Sequence, residues 1–219
     1  MGDSAQLTGT MSATAWERVW ARPNGKITAW LCASGKKLNR LIIFNLLKDV
    51  DLRGGTILDL GCGHAEITMA ILQRHGVRAL TAVDFCADAV ESVKQRKGPL
   101  PVTAIQADLL EFDLDQQFDL VYSSMVVEHF WGDARRQAIA QHARFARPGG
   151  YVFINVPGQS LFSRIFDASL NRPAGIREEH FTPDELRGLL TDHGLEIVRF
   201  RGLLFDSVLF ALARKGSDV

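Results

Sequence analysis

Cysteine is scarce in this chain: Cys32, Cys62 and Cys86 are scattered, and none shows Cys-x-x-Cys spacing. That excludes a disulfide framework and a cysteine-based zinc or dithiol centre, and free thiols in a reducing compartment are expected. An excess of one charge is missing as well, with 25 Lys and Arg against 25 Asp and Glu. No global positive field exists to hold a phosphate backbone, so a nucleic acid substrate is disfavoured. No apolar run approaches the roughly 18 residues of a membrane span, and the opening residues lack the charged flank and cleavage site of a signal peptide. Repeats and low-complexity stretches are absent too, and a soluble cytoplasmic protein is the expectation. What the chain does have is 219 residues, 47% of them hydrophobic. That is enough for one well-buried core and too little for two substantial domains.

The most informative stretch is Ile57-Leu-Asp-Leu-Gly-Cys-Gly-His-Ala-Glu-Ile67, where an apolar run breaks into two glycines and resumes at helical spacing. It reads as a strand, a tight turn and a helix whose first N–H groups are free to meet a ligand. A nucleotide-like cofactor suits such a turn, although a plain strand-to-helix corner has the same local signature. A dinucleotide site wants Gly-x-Gly-x-x-Gly with the pyrophosphate on the helix N-terminus. Here the last position is Glu66, whose carboxylate repels a diphosphate. S-adenosylmethionine has no phosphate and carries a sulfonium cation, so an acidic ending suits it.

Two later aspartates follow the same logic. Ala79-Leu-Thr-Ala-Val-Asp84-Phe85 is a second apolar run ending in a carboxylate about 20 residues on, where a ribose ligand is expected. Val102-Thr-Ala-Ile-Gln-Ala-Asp108-Leu109 is a third, placing an acceptor for the adenine amine beside an apolar side chain. Taken singly, each aspartate also reads as an N-cap or turn residue. In order behind the glycine turn, the set favours the cofactor.

The chain resembles the class I S-adenosylmethionine-dependent methyltransferases, from about Thr56 through Phe145-Ala-Arg-Pro-Gly-Gly-Tyr-Val-Phe-Ile-Asn155 and more loosely to the C-terminus. The resemblance implies that Asp59, Gly61, Cys62 and Gly63 cradle the methionine part, that Asp84 and Phe85 bind ribose and its surroundings, and that Asp108 and Leu109 face adenine. Phe118-Asp-Leu-Val-Tyr-Ser-Ser124-Met-Val-Val-Glu128-His129 is similar to the family's fourth strand and the loop beside the transferred methyl, with Ser124 on the cofactor side. Ala65 stands where many members carry a third glycine.

Strand-like runs near Thr56–Leu60, Ala79–Phe85, Val102–Ala107, Phe118–Ser123 and Tyr151–Val156 alternate with helical patterns, so an α/β fold with a parallel doubly wound, Rossmann-like sheet is expected. A helix from Asp133 to about Arg147 should stop at Pro148-Gly-Gly150, and Thr182-Pro183-Asp-Glu185 reads as an N-cap with proline at the first helical position. Glu196–Arg201 and Ser207–Arg214 form an expected hairpin. The resemblance makes the sheet seven-stranded in the order 3-2-1-4-5-7-6, with the last strand antiparallel and helices on both faces.

Two segments lie outside this repeat. Residues 1–50 are expected to form a helical cap on a methyltransferase domain at 51–219, with Trp16, Val19 and Trp20 on one helical face and Leu38, Leu41, Ile42 and Leu46 on another. This stretch is moderately basic, which reads first as a solvated helix face. A substrate-side insertion is expected at about 158–179, where Arg164, Arg172 and Arg177 are mixed with Leu161, Phe162, Ile165 and Phe166. It reads as an ordinary amphipathic helix, or as a binder of a carboxylate-bearing apolar acceptor.

The expected activity is methyl transfer to a small-molecule acceptor, most readily an oxygen, with nitrogen or carbon as alternatives. Alignment and exclusion of water are the main tasks. A hydroxyl acceptor must lose its proton, which makes His129 the candidate base; a capping role is its alternative. Quinone-biosynthesis O-methyltransferases carry Glu-x-x-Glu-His around a divalent metal at the position of Glu128 and His129. Met125 replaces the first carboxylate here, so no metal is expected. His180 reads first as packing or capping and second as an acid or base. The rivals are a nicotinamide-dependent oxidoreductase and a non-catalytic S-adenosylmethionine-binding partner protein.

Overall fold

All five residues of Thr56–Leu60 are buried, which only a strand covered on both faces by helices achieves. This strand, β1, is the centre of the sheet in the computed structural model, which describes residues 26–171, 175 and 177–217. The other strands are β2 (Ala79–Asp84), β3 (Val102–Gln106), β4 (Phe118–Ser124), β5 (Ala146–Pro157), β6 (Leu195–Leu203) and β7 (Val208–Lys215). Their order is β3-β2-β1-β4-β5-β7-β6, as expected. β1 to β5 run parallel, and β7 enters antiparallel between β5 and β6.

Period-2 alternation divides the core into two layers. Leu58 and Leu60 point into one, with Val121, Ile154, Phe145 and Leu186. Ile57 points into the other, with Leu120, Phe153, Phe210 and Ile71. The covering helices are α1 (Lys26–Leu47), α2 (Glu66–His75), α3 (Ala87–Arg96), α4 (Asp133–Phe145), α5 (Leu161–Phe166) and α6 (Pro183–Asp192). Strand order reverses between β1 and β4, so a crevice opens at their C-terminal ends.

α4 stops at Phe145, and β5 begins at Ala146 and runs through Pro148-Gly-Gly150 rather than starting beyond it. The breaker residues form an irregularity inside the strand, with a register shift opposite Phe118 and Leu120. Gly149 has φ +72°, and a Cβ on Gly150 would meet the Phe118 carbonyl at 3.0 Å. Thr182 caps α6 as expected, its Oγ1 accepting from Glu185 N–H at 3.1 Å.

The inward face of α1 differs from the expectation. Ile43, Leu46 and Leu47 are buried, whereas Leu38 and Leu41 face solvent. The buried stripe runs i, i+3, i+4 from Ile43 and leaves Leu38 and Leu41 on the opposite side. Trp16, Val19, Trp20 and Arg172 lie outside the described residues.

At the β6–β7 turn Leu204, Phe205 and Asp206 all have positive φ, 47°, 54° and 60°. Among the described residues no helix is long and apolar enough to cross a membrane.

Candidate active site

The turn after β1 is held by its own N–H groups. Gly61 and Cys62 both donate to the Val83 carbonyl, at 2.8 and 3.0 Å. Gly63 donates to Asp84 Oδ2 at 2.8 Å, while Asp84 Oδ1 accepts from Cys86 N–H at 2.9 Å. Gly61 (φ +72°) and Gly63 (φ +50°) adopt the left-handed geometry this path needs. Gly61 also has no room for a side chain, since a Cβ would lie 2.6 Å from Val126 Cγ2. Ala65 is left-handed too (φ 51°), at a cost of about 1 to 2 kcal/mol. A glycine there would avoid it.

Beneath the turn lies Asp59, buried on β1. Thr68 Oγ1 sits 2.5 Å from Asp59 Oδ2 and 3.2 Å from the Ala65 carbonyl. One hydroxyl proton cannot serve both oxygens, whereas a protonated Asp59 donating to Thr68 lets Thr68 donate onward. Burial pushes the Asp59 carboxyl up to about 7 against the pull of the Thr68 bond. Burial also raises Asp84, opposed by the N–H donors of Cys86 and Gly63.

Asp59, Gly61, Cys62, Gly63 and Asp84 wall a cavity of about 460 Å³, within the usual range for cofactor pockets. Phe85, Asp108, Leu109 and Ser124 line it as well. Asp108 is exposed at the rim, two residues beyond β3, and its Oδ1 accepts from Leu110 N–H at 2.8 Å. The turn role that a lone aspartate offers is therefore present there. No Lys or Arg lines the cavity among the described residues.

The chemistry of this end points to one sign of ligand charge. A diphosphate needs unpaired N–H donors and finds those of Gly61, Cys62 and Gly63 already used. What remains are the carboxyls of Asp59, Asp84 and Asp108, which suit hydroxyls, an amine and a cation. An adenosyl sulfonium with an ammonium group fits that donor set.

The opposite end is assembled from distant segments. A 3₁₀ turn, Val127–His129, follows β4. His129 Nδ1 lies 3.0 Å from the Arg177 carbonyl. A carbonyl only accepts, so Nδ1 carries the proton and Nε2 of the neutral ring is basic. Burial lowers the His129 pKa, with the Arg177 bond and Glu178 pulling the other way. Nε2 is 3.8 Å from Glu128 Oε1. Glu128 is fully buried, and neither carboxyl oxygen has a hydrogen-bond partner among the described residues. Burial, reinforced by the charge of Glu178, holds its pKa well above the usual carboxylate range. Glu128 stands behind the cavity wall, of which His129 is part.

His180 does not line the cavity; its Nε2 lies 3.5 Å from Glu178 Oε2. Glu178, which the sequence reading passed over, does line it. It restores the carboxylate that Met125 removes, so that Glu128, His129 and Glu178 bring polar atoms within 4.8 Å of one another. Arg135 fixes this strap. It donates to the Phe130 and Glu179 carbonyls at 3.0 and 2.8 Å, pairs with Glu185 at 2.6 Å and stacks over Phe181.

Residues 57–150 match the family model described as a methyltransferase domain. Over this stretch the chain carries a methyltransferase domain, similar to those of the class I S-adenosylmethionine-dependent methyltransferases. It is 32% identical over half its length to a malonyl-[acyl-carrier protein] O-methyltransferase of Anoxybacillus flavithermus, covering 42% of that protein. It is 33% identical over 74% of its length to a probable S-adenosylmethionine-dependent methyltransferase of Mycobacterium tuberculosis, covering 57% of it. The chain thus spans about half the length of these curated relatives. Among solved folds, the magnesium protoporphyrin IX methyltransferase of Synechocystis with bound S-adenosylhomocysteine superposes with a TM-score of 0.74 at 17% identity, over 97% of this chain and 98% of that one. A methyltransferase of this class takes S-adenosylmethionine as its cofactor, and the consumed N–H donors and paired carboxyls of the β1 turn are the local reason that a dinucleotide does not fit.

Proposed function

We propose that this chain transfers the methyl group of S-adenosylmethionine to the oxygen of a small, uncharged hydroxyl or phenol, with His129 as the base. The observation that carries the reading is the Arg177 carbonyl on His129 Nδ1, which fixes the ring and its neutral tautomer in the wall of the cavity that the glycine turn also walls.

The cofactor supplies an activated methyl on a cationic sulfur. Asp84, already anchored to Gly63 and Cys86, has lone pairs left for the ribose hydroxyls, and Phe85, Asp108 and Leu109 flank the adenine. Asp59 in its ionised form balances the charge of the methionine end, along Gly61, Cys62 and Gly63, and Ser124 closes that side. Met125, Val126 and Phe130 keep water from the reacting end. As the acceptor oxygen gains its methyl, His129 Nε2 takes the hydroxyl proton, and the carboxyls of Glu128 and Glu178 stabilise the imidazolium.

The acceptor's charge follows from the wall. Glu178 faces the cavity, and no cationic side chain does among the described residues. A carboxylate acceptor such as a malonyl group would meet like charge without a counter-ion, whereas a neutral hydroxyl meets only an acceptor for its proton.

The test is calorimetric titration with S-adenosylmethionine, S-adenosylhomocysteine and NADH, then transfer of labelled methyl to a panel of phenols, alcohols and carboxylates. Micromolar binding of the sulfur cofactors, none of NADH, and label in phenols or alcohols are expected. Label only in carboxylates would overturn the acceptor class. Tight binding without transfer to any compound would make the chain a binding protein.

A further inference from the structure

α5 and the β6–β7 turn show their apolar side chains to solvent. Leu161, Phe162 and Ile165 are 76%, 59% and 58% exposed, and Leu204 and Phe205 are 53% and 97% exposed. Ser163, by contrast, faces inward. Its hydroxyl donates to the Ser207 carbonyl at 3.3 Å, and Gly158 N–H donates to the same carbonyl at 3.0 Å. The Asp206 carbonyl presses on Gly158 so closely that a Cβ there would lie 1.9 Å away. The two apolar groups are therefore stitched into one ridge, at the end of the sheet where β5 finishes and the cavity opens.

The protein keeps this ridge at a cost. Three consecutive non-glycine residues in the left-handed region hold Phe205 outward, and each costs on the order of 1 to 2 kcal/mol. Glycine or asparagine would make the turn without strain. Strain of this kind persists where a segment has a task.

Charge selects the occupant. Arg164 sits between Phe162 and Ile165, and Arg201 lies three residues before Leu204; both are exposed, and neither forms a salt bridge among the described residues. The acidic neighbours are Asp206, which is exposed, and Asp167, which is buried. Protruding phenylalanine and aliphatic tips flanked by unpaired arginines match the boundary between headgroups and acyl chains of an anionic bilayer. A stable contact with a second copy engages about 20 to 30 residues a side, far more than a ridge on two short turns presents.

We propose that this ridge seats the protein on an anionic membrane surface, with Phe162, Ile165 and Phe205 dipping into the interface and the cavity mouth turned toward the lipid. The site would then take an amphipathic acceptor directly from the bilayer, while the chain remains peripheral.

Flotation of the full chain with vesicles of equal parts phosphatidylglycerol and phosphatidylcholine tests this, with phosphatidylcholine vesicles alone as the comparison. The chain should float with the anionic vesicles, less with the neutral ones, and less at high salt. Phe162→Ser with Phe205→Ser should weaken partitioning about tenfold or more, and Arg164→Gln with Arg201→Gln about fivefold per arginine. Calorimetric binding of S-adenosylhomocysteine should be unchanged in both variants, which shows them folded. No flotation, or flotation that folded variants retain in full, would overturn the proposal. So would a concentration-dependent dimer in sedimentation velocity that the phenylalanine variant dissolves, because the ridge would then belong to a second copy.

Discussion

The two ends of the cavity are built on different principles. At the proposed cofactor end, the N–H groups of Gly61, Cys62 and Gly63 all have partners on β2, and Asp84 serves two donors at once. At the proposed acceptor end, a fully buried carboxyl has no hydrogen-bond partner among the described residues, and its neighbour Glu178 comes from 50 residues further along. The first end is satisfied before any ligand arrives and acts as a rigid template. The second keeps a store of unspent polarity, which is what moving a proton needs.

The largest expected effect separates the ends outright. His129→Ala should lower methyl transfer to a responsive acceptor about a hundredfold or more, with S-adenosylhomocysteine affinity unchanged in calorimetry. An equal loss of affinity would merge the two ends into one unit. From the other side, Gly61→Ala places a Cβ 2.6 Å from Val126 at φ +72°, which should cost about 3 kcal/mol in denaturant unfolding and abolish cofactor binding. Asp84→Ala strips the partners from Gly63 and Cys86, and affinity should fall by about 1 to 3 kcal/mol.

Asp59 gives the comparison a pH axis. Its carboxyl is raised to about 7, so stability due to its neutral form is complete below the ordinary aspartate range and is lost as pH rises through 7. A cationic cofactor prefers the ionised form, so affinity should rise about tenfold between pH 6 and 8. Asp59→Asn should flatten that rise; a steep rise that survives the substitution would assign it to another group. The smallest effect concerns Glu128, also raised, whose stabilising neutral form is lost toward alkaline pH. Glu128→Gln should stabilise the chain by about 1 kcal/mol above neutrality and leave cofactor affinity alone. If Mg²⁺ or Mn²⁺ raised the melting temperature of the parent chain but not of this variant, a cation rather than a proton would balance the cluster.

These differences also explain what could be read in advance. Gly61, Gly63 and Asp84 act within one strand-turn-helix-strand unit, where spacing alone places them, whereas alternation gave only a parallel doubly wound sheet and the strand order came from the family resemblance. Glu178 sits in a strap with no periodicity, so nothing local marks it as a neighbour of His129. The outward face of α5 was hidden for a related reason. A helical apolar pattern reveals a face but not its direction, and the Ser163 to Ser207 bond shows that Leu161, Phe162 and Ile165 lie on the outer side. Pro148-Gly-Gly150 misled because breakers mark both loops and irregular strands, and the register opposite Phe118 decides between them.

Arg135 separates the ends in a further sense. One guanidinium ties the strap at Glu179 and Phe181 to α4, α6 and the 3₁₀ turn, and it makes no bond to the glycine turn. Inheritance can therefore work on the two ends independently. A lineage that redraws residues 177–181 while keeping a carbonyl and a carboxylate for Arg135 reshapes one wall of the cavity without disturbing the glycine turn, so this small knot is the joint along which the proposed activity can diversify.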